Sequence, residues 1–399
     1  MDCDVLVIGG GIVGLSTAHA LSRLAPGTRV VVLEERGAAP VRPRGGRRDG
    51  RQDGAVDSGG SDSGTVDGDT VDSGGVDSGV VDSGIHHRPG SLTARFAVRG
   101  AVEMAAFCAE HGVPHEVTGK LVVATERAEL PRLHALVQRG RRLGVPVREL
   151  GPAQIREYEP EVRALAAIRV GTTAVVDHGR LAAQLARSSG AEIRYGARAE
   201  GIRRRPGRVA VRTASGEVLR AKVLVNCAGV RSDRVARLAG DDPGVRISAF
   251  RGEYYDLARP SLLRGPIDAL PDPARPFPGV HLLRGIDGEV HVAAGAAGPR
   301  RAAGAGHGSG AGAVPVKREF VEAVRRVLPG VSEADLVPAA GPAGLRARAV
   351  RPDGTPVDEV LVRETPGAVH VVDVALPGVA GALPVGSAVA RRALRMLRD

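Results

Sequence analysis

The chain has 399 residues, enough for two or three domains, with 43% hydrophobic residues and a formal net charge of +10. The charge does not indicate nucleic acid binding, because the basic residues are spread along the chain and aromatic residues, which would stack on bases, make up only 2%. Apolar runs are too short to span a membrane, a signal peptide pattern is absent and the three cysteines are widely spaced, so we expect a cytoplasmic protein with reduced cysteines.

The N-terminal segment follows the pattern of a dinucleotide-binding β-α-β unit. An apolar strand pattern runs into a glycine turn, and a helical pattern follows the turn formed by Gly9, Gly11 and Gly14. In such a unit the glycines permit the tight turn, the close approach of a pyrophosphate and the packing of helix on strand. A second apolar run, 30–33, ends at Glu34, whose carboxylate is placed to hold ribose hydroxyls and disfavours a 2′-phosphate. The pattern therefore predicts FAD or NAD rather than NADP.

A low-complexity segment interrupts the periodicity at residues 41–85. It begins as an Arg/Gly tract, and then aspartate recurs from Asp57 to Asp82, mostly within Val-Asp-Ser-Gly. Calcium binding by these aspartates is the alternative interpretation, but the nonapeptide pattern of calcium-binding repeats and the bidentate glutamate of calcium loops are both missing. We therefore expect a solvated, largely disordered insert and no metal site.

Regular patterns resume after the insert, where Ser91 is placed to cap a helix that stops at Gly112. A later apolar strand ends in Asn226-Cys227-Ala228-Gly229, and we expect this second strand-to-glycine crossing to return the chain to the dinucleotide-binding domain. The other predicted elements are strands at 119–125, 192–195, 209–213, 218–220, 360–363 and 369–372, and helices at 130–143, from 177 to 190, from 232 and at 387–397.

The order of motifs resembles the FAD-dependent D-amino-acid-oxidase-like oxidoreductases, and most closely their L-2-hydroxyglutarate oxidase and dehydrogenase branch. The segments that carry this resemblance span nearly the whole chain: the N-terminal unit, Pro89-Gly90-Ser91-Leu92, Gly119-Lys120-Leu121, Asn226-Cys227-Ala228-Gly229, Phe250-Arg251-Gly252-Glu253-Tyr254-Tyr255, Pro271-Asp272-Pro273, Gly279-Val280-His281-Leu282 and Ala343-Gly344-Leu345-Arg346. Three of these segments, which begin at Phe250, Pro271 and Gly279, are specific to the hydroxyglutarate branch.

The resemblance implies an α/β fold in which a doubly wound, Rossmann-like FAD-binding domain is interrupted by an α+β substrate domain with an antiparallel sheet. We expect residues 1–92, 152–243 and 335–399 in the FAD-binding domain and residues 93–151 and 244–334 in the substrate domain. FAD would be bound non-covalently. The residues expected to contact it are Gly9, Gly11, Ile12, Val13, Gly14, Glu34, Glu35, Ser83, Gly84, Ala199, Cys227, Ala228, Gly229, Gly344, Arg346, Gly378, Val379 and Ala380.

By the same resemblance, the substrate is a small 2-hydroxy acid, with L-2-hydroxyglutarate first, whose α-hydrogen leaves as hydride to flavin N5. His281 is the candidate general base, because imidazole titrates near neutral pH. Arg346 is the candidate clamp for the substrate carboxylate, since a guanidinium binds it bidentately. Arg251 either pairs with Glu253 or holds a distal carboxylate, and Tyr254 either hydrogen-bonds substrate or packs in the core. The electron acceptor, oxygen or a quinone, is left open.

The segment from Val76 to His87, which in relatives packs against the flavin, departs from the family pattern. Relatives carry two histidines and two tyrosines at the positions that are here Val76, Asp82, His86 and His87. Two new carboxylates near the flavin, Asp77 and Asp82, would oppose an anionic substrate and a negatively charged reduced flavin. Two alternatives therefore stay open beside the hydroxy acid oxidoreductase: an amino-acid or amine oxidase of the same fold, and a non-catalytic flavoprotein.

Overall fold

The computed structural model describes residues 2–37, 79–251, 254–270, 279–294, 317–339, 345–374 and 378–398, without the side chains of 249–251, 294 and 345–347. The predictions for the Arg/Gly tract, for most of the aspartate repeat, for Val76, Glu253 and Gly344, and for the segment that follows Leu270 lie outside the described residues.

Eight α-helices lie in the described part of the chain: α1 (Ile12–Leu24), α2 (Leu92–Glu110), α3 (Leu130–Leu143), α4 (Pro152–Tyr158), α5 (His178–Ser189), α6 (Ser232–Leu238), α7 (Lys317–Val327) and α8 (Gly378–Arg398). Two predicted helix starts are confirmed by their caps, because the Ser91 side chain accepts a hydrogen bond from the backbone N–H of Ala94 and the Asp177 side chain accepts one from Arg180. None of these helices is both long and apolar enough to cross a bilayer.

The strands are numbered in chain order: β1 (Val5–Ile8), β2 (Val30–Leu33), β3 (Val80–Val81), β4 (His115–Glu116), β5 (Lys120–Ala124), β6 (Val147–Leu150), β7 (Ala166–Val170), β8 (Ala174–Val176), β9 (Glu192–Arg194), β10 (Ala199–Arg205), β11 (Arg208–Thr213), β12 (Val218–Ala221), β13 (Val223–Asn226), β14 (Arg246–Arg251), β15 (Tyr254–Leu257), β16 (Ile267–Ala269), β17 (Val280–Arg284), β18 (Val290–Ala294), β19 (Leu336–Pro338), β20 (Leu345–Val350), β21 (Leu361–Thr365) and β22 (Ala368–Asp373).

A six-stranded sheet forms the dinucleotide-binding part of the fold, in the order β21-β22-β13-β1-β2-β9. All its neighbours are parallel except β21, which runs antiparallel to β22. The second strand-to-glycine crossing, β13, is expected to return the chain to the dinucleotide-binding domain, and in the structure it pairs directly with β1. Helices α1 and α8 cover one face, and the small sheet β10-β11-β12 with α6 covers the other. The carboxyl ends of β1, β2 and β13 therefore meet at one edge, which is where doubly wound sheets bind ligands.

An eight-stranded sheet in the order β19-β15-β18-β17-β16-β5-β7-β6 forms the second layer. Its strands are antiparallel except for the pair β16 and β5. Helix α7 packs on one face, where Phe320 is fully buried, and α3 covers the other face over β5 and β7. Strands β7 and β19 belong to this sheet, although the sequence prediction assigned their residues to the FAD-binding domain; the division into domains itself stays a prediction.

The C-terminal helix α8 begins at Gly378, nearer the N-terminus than the predicted start at residue 387, and contains Pro384. Proline removes one backbone hydrogen bond, which is why the sequence pattern favoured a later start. Close packing on two neighbouring helices offsets that loss. A Cβ on Gly386 would lie 2.6 Å from the backbone of Ser16 in α1, and one on Gly100 of α2 would lie 1.8 Å from the carbonyl oxygen of Ala380.

The buried carboxyl of Asp373, at the end of β22, contacts the backbone of β20, and its ionisation is expected to affect stability. Its carboxylate accepts a hydrogen bond from the backbone N–H of Ala349 at 2.8 Å, and burial raises its pKa from 3.8 to about 6. As the pH rises, the Asp373 carboxyl loses its proton in the unfolded chain before it does so in the folded protein. The free energy of unfolding therefore falls between about pH 4 and about pH 6, and this group lowers it no further at higher pH.

Asp373→Asn keeps the acceptor oxygen and removes the charge. We expect it to raise the free energy of unfolding by up to about 3 kcal/mol at pH 8 and by less than about 1 kcal/mol at pH 4. Urea unfolding at both pH values measures the difference. Equal gains at the two pH values would mean that ionisation of Asp373 is not the cause.

Candidate active site

The glycine turn between β1 and α1 requires glycine at two positions and leaves a third open. Gly9 has φ +104°, and a Cβ there would lie 2.2 Å from the carbonyl oxygen of Cys227. A Cβ on Gly14 would lie 1.9 Å from the carbonyl oxygen of Gly9. At Gly11, no described atom outside its own neighbours lies within 4 Å of such a Cβ. The turn is therefore closely packed at Gly9 and Gly14 and open at Gly11, which leaves room for a ligand against the backbone there.

A cavity of about 900 Å³ lies above this turn. Its walls contain nine of the residues that the sequence analysis assigned to the cofactor, namely Gly9, Gly11, Ile12, Glu34, Glu35, Ala199, Cys227, Ala228 and Gly229. Glu34 is held at its edge, because its Oε2 accepts a hydrogen bond from the backbone N–H of Gly10 at 2.7 Å. Val13 and Gly14 belong to α1 behind this wall, and Gly378, Val379 and Ala380 form the first turn of α8.

These residues fit a dinucleotide. The N-cap of α1 is Gly11, and no described side chain caps it, so the first N–H groups of the helix can donate to a pyrophosphate. The Glu34 carboxylate at the end of β2 can accept hydrogen bonds from ribose hydroxyls.

The flavin loop, which we define as residues 79–87, packs into the structure. Val81 and Ile85 are fully buried, and β3 pairs with β8. Gly84 has φ +78°, and a Cβ there would lie 2.6 Å from the Cβ of Ala97 in α2. This differs from the disorder expected through residue 85, because the two buried apolar side chains offset the entropy of ordering the loop. The loop holds two predicted cofactor contacts, Gly84 and the fully buried Ser83.

Five charged or titratable side chains meet where the flavin loop reaches the eight-stranded sheet. Lys120 Nζ, on a side chain only 1% exposed, donates to Asp82 Oδ2 and to Asp268 Oδ2, both at 2.6 Å. Asp268 Oδ1 lies 2.6 Å from His281 Nδ1, and Asp268 Oδ2 lies 3.4 Å from His86 Nε2. We call these five residues the Lys120 cluster.

Strand register explains how the sheet side of the cluster assembles. Asp268 pairs with Val122 on one side and with His281 on the other; His281 pairs with Ala293, and Ala293 pairs with Tyr254. Since directly paired residues share a face of a sheet, Asp268, His281 and Tyr254 lie on one face. The structure therefore brings two predicted site residues, His281 and Tyr254, into one row across the sheet.

The charges of the Lys120 cluster stabilise one another. Burial opposes the charge on Lys120, but the carboxylates of Asp268 and Asp82 outweigh it and raise the lysine pKa above its usual range. Burial also opposes ionisation of both carboxyls, yet Lys120 holds the pKa of Asp82 below its usual range, and Lys120 with His281 holds that of Asp268 well below it. Lys120 therefore offsets part of the charge of Asp82 and Asp268, because its single ammonium contacts both carboxylates.

Arg346 and Arg251 lie on a separate two-stranded sheet formed by β14 and β20. The backbone of Arg346 pairs with Phe250, and that of Arg251 pairs with Leu345, in adjacent rows. Their side chains are outside the description, so the roles of both arginines stay predictions.

Lys120 and Asp268 are the members of the cluster that sequence reasoning did not single out as site candidates, and Asp82 was considered there only as an opposing charge. Lys120 and Asp268 are 148 positions apart, and Lys120 and Asp82 are 38 apart, so no local pattern joins them. A signal was nevertheless present. Lys120 is one of three lysines in a chain whose other charged bases are arginines, and Asp268 lies in an apolar stretch between Ile267 and Leu270.

Comparison with known proteins extends these observations. A family described as FAD dependent oxidoreductase matches residues 4–392. The L-2-hydroxyglutarate dehydrogenase of Escherichia coli K12 is 31% identical over 427 aligned positions, covering 99% of this chain and 94% of that protein. The FAD-bound, dithionite-reduced L-α-glycerophosphate oxidase of Mycoplasma pneumoniae has a similar fold, with a TM-score of 0.74 at 20% identity over 100% of this chain and 95% of that one. The glycine oxidase of Geobacillus kaustophilus has a TM-score of 0.69 at 18% identity, over 98% and 95%.

Proposed function

The chain belongs to the FAD-dependent oxidoreductase family, and from that premise we propose that it oxidises L-2-hydroxyglutarate, or a closely related 2-hydroxy acid, to the 2-oxo acid. The observation that carries the proposal is the contact between His281 and Asp268, which provides a base for a substrate hydroxyl proton on the same sheet face as Tyr254. Similarity to a protein named L-2-hydroxyglutarate dehydrogenase over 99% of the chain supports the choice of substrate.

FAD would be held by the glycine turn, by Glu34 and by the flavin loop. When bound, the flavin supplies the acceptor for the hydrogen and electron pair that leave the substrate α-carbon. We infer non-covalent binding, because Asp82 stands where relatives carry a histidine, and Lys120 engages its carboxylate.

The residues around the substrate divide the remaining work. His281 takes the hydroxyl proton at Nε2, because its Nδ1 contacts Asp268. Tyr254 donates a hydrogen bond to the substrate from two strands away in the same row. Arg346 binds the α-carboxylate through its guanidinium. Arg251 is not assigned to the same substrate, because it stands in the adjacent row of the two-stranded sheet and consecutive rows lie on opposite faces.

Turnover of a substrate panel tests this proposal. The purified protein loaded with FAD is assayed with both enantiomers of 2-hydroxyglutarate, with lactate, and with glycine, sarcosine and proline. We expect the highest kcat/KM for L-2-hydroxyglutarate. A higher value for an amino acid would instead support the amino-acid oxidase, and no turnover of any of these compounds would support the non-catalytic flavoprotein.

Substitutions at Arg346 test the carboxylate clamp. Arg346→Ala removes a charge-assisted contact worth about 2–4 kcal/mol in the transition state, so kcat/KM for the best hydroxy acid should fall about thirty- to a thousandfold. Arg346→Lys keeps the charge and loses the bidentate geometry, so its kcat/KM should lie between that of Arg346→Ala and that of the unsubstituted protein. Flavin content should stay unchanged.

The matched control is Arg348→Ala, on the same strand, where the guanidinium contacts the exposed Asp358. We expect its kcat/KM within about threefold of the unsubstituted protein, because an exposed ion pair contributes little. Unchanged kinetics in Arg346→Ala would refute the clamp, and loss of flavin would make Arg346 a cofactor residue instead.

A further inference from the structure

We propose that Asp268 is a positioning residue for His281, and that Lys120 couples this pair to the flavin loop through Asp82. The inference rests on the proposed function, because it assigns His281 as the base. It adds three residues that touch neither the reacting atoms nor the glycine turn.

The two oxygens of Asp268 have separate partners. Oδ1 lies 2.6 Å from Nδ1 of His281, and Oδ2 accepts a hydrogen bond from Lys120 Nζ at 2.6 Å. An ionised carboxylate can only accept hydrogen bonds, so Nδ1 must carry the proton of the neutral imidazole. The lone pair is then on Nε2, which makes that nitrogen the one able to take a substrate proton.

The position of Asp268 in the fold fixes this orientation. The residue lies on β16, between β5 and β17 inside the eight-stranded sheet, and its side chain is 7% exposed. Asp268 and His281 are direct cross-strand partners, so the sheet backbone sets the distance between them. A side chain held by such packing keeps its partner within the narrow geometry that proton transfer requires.

Charge balance favours the protonated form that the reaction produces. With both histidines neutral, the Lys120 cluster holds two carboxylates and one ammonium, which leaves one net negative charge. A proton arriving on His281 brings the cluster to neutrality, in surroundings where Lys120 is 1% exposed and water screens little. Lys120 also keeps Asp268 ionised, so the proton stays on the imidazole, as in other carboxylate-imidazole pairs.

The same lysine ties the base to the flavin loop. Lys120 Nζ donates to Asp82 Oδ2 at 2.6 Å, and Asp82 Oδ1 accepts a hydrogen bond from the backbone N–H of Gly84 at 2.8 Å. His86, from the same loop, approaches Asp268 at 3.4 Å. Asp82 and His86 are two of the positions at which the chain departs from the family pattern, and both departures contact partners in one cluster.

Proton and electrons balance in the resulting step. The substrate O–H bond breaks and its proton moves to Nε2 of His281, while the α-carbon C–H bond breaks and its hydrogen leaves with the bonding electron pair, as a hydride, for the bound cofactor. A carbon-oxygen double bond forms. His281 then releases its proton to solvent, and oxygen or a quinone takes the two electrons from the reduced cofactor.

Asp268→Asn tests the positioning role. An amide can donate to Nδ1 and so favour the wrong tautomer, and we expect kcat for the best 2-hydroxy acid to fall about 10²–10⁴-fold while KM changes by less than about threefold. The matched control is Asp256→Asn. Asp256 makes the same kind of contact in the same sheet, with Oδ1 2.7 Å from Nδ1 of His291, and kcat should stay within about threefold.

Nitrogen NMR of histidine-labelled protein gives a readout that does not need turnover. With the His281 signal assigned by its loss in His281→Gln, we expect a protonated Nδ1 in the unsubstituted protein and in Asp256→Asn, and a shift towards protonated Nε2 in Asp268→Asn. A protonated Nε2 in the unsubstituted protein would overturn the proposal. The expected tautomers in a protein that oxidises no 2-hydroxy acid would reject the proposed function and leave the positioning of His281 intact.

Asp82→Asn is the second variant, on a side chain 41% exposed and outside the sheet core, which keeps the test valid if Asp268→Asn fails to fold. It removes the net negative charge of the cluster, which would otherwise attract the proton arriving on His281, so kcat should fall about tenfold. The His281 tautomer should not change. An unaltered kcat would contradict the coupling through Lys120.

Discussion

His281→Gln should lower kcat for the best 2-hydroxy acid by about 10²–10⁴-fold, the range that a positioned general base contributes. Glutamine preserves a hydrogen-bonding side chain next to Asp268 but cannot take a proton at neutral pH. Flavin binding should be retained, because His281 lies on the eight-stranded sheet and not at the glycine turn. Steady-state kinetics and the flavin content of the purified variant measure both quantities.

The control for this prediction is His291→Gln. His291 lies on the neighbouring strand and also contacts a carboxylate, that of Asp256, at 2.7 Å. We expect its kcat within about threefold of the unsubstituted protein, because it lies outside the Lys120 cluster. If both variants lost activity equally, the effect would belong to the sheet and not to a base at position 281.

Lys120→Met should lower the free energy of unfolding by about 3–5 kcal/mol, the loss typical when one partner of a buried ion pair is removed. The lysine side chain is 1% exposed, and its removal leaves Asp268 and Asp82 facing an apolar side chain. Their mutual repulsion and burial would then favour protonation of at least one of them. Urea unfolding at neutral pH gives the magnitude.

Lys222→Met is the matched substitution on the surface. Lys222 contacts Asp4 at 3.0 Å with a side chain 51% exposed, so its removal should change the free energy of unfolding by less than about 1 kcal/mol. A loss for Lys120→Met no larger than for Lys222→Met would show that the Lys120 cluster does not stabilise the fold.

The dinucleotide-binding half was predictable because its signals are local. The turn at Gly9 and Gly14 requires glycine for steric reasons that act within a few residues, and the cap at Ser91 acts within a single turn of helix. The return of the chain to this domain at Asn226-Cys227-Ala228-Gly229 was also predicted from a local pattern, whereas the pairing of that strand with β1 became known only from the structure.

The chemistry of the second sheet could not be predicted in the same way. The Lys120 cluster depends on the parallel pairing of β5 with β16 and on the packing of the flavin loop against both, and each is a contact between distant segments. From the sequence alone, no positively charged partner could be identified for the Asp82 carboxylate. The contact between Lys120 and Asp82 weakens the main reason to expect an inactive flavoprotein, because the lysine offsets part of the charge that would oppose an anionic substrate.

The most direct test of 2-hydroxy acid oxidation is an anaerobic titration of the FAD-loaded protein with L-2-hydroxyglutarate. The account predicts that the oxidised flavin absorbance bleaches and that one 2-oxoglutarate forms per flavin reduced, whereas D-2-hydroxyglutarate and glycine leave the spectrum unchanged. A flavin that dithionite reduces but L-2-hydroxyglutarate and other 2-hydroxy acids do not would contradict it.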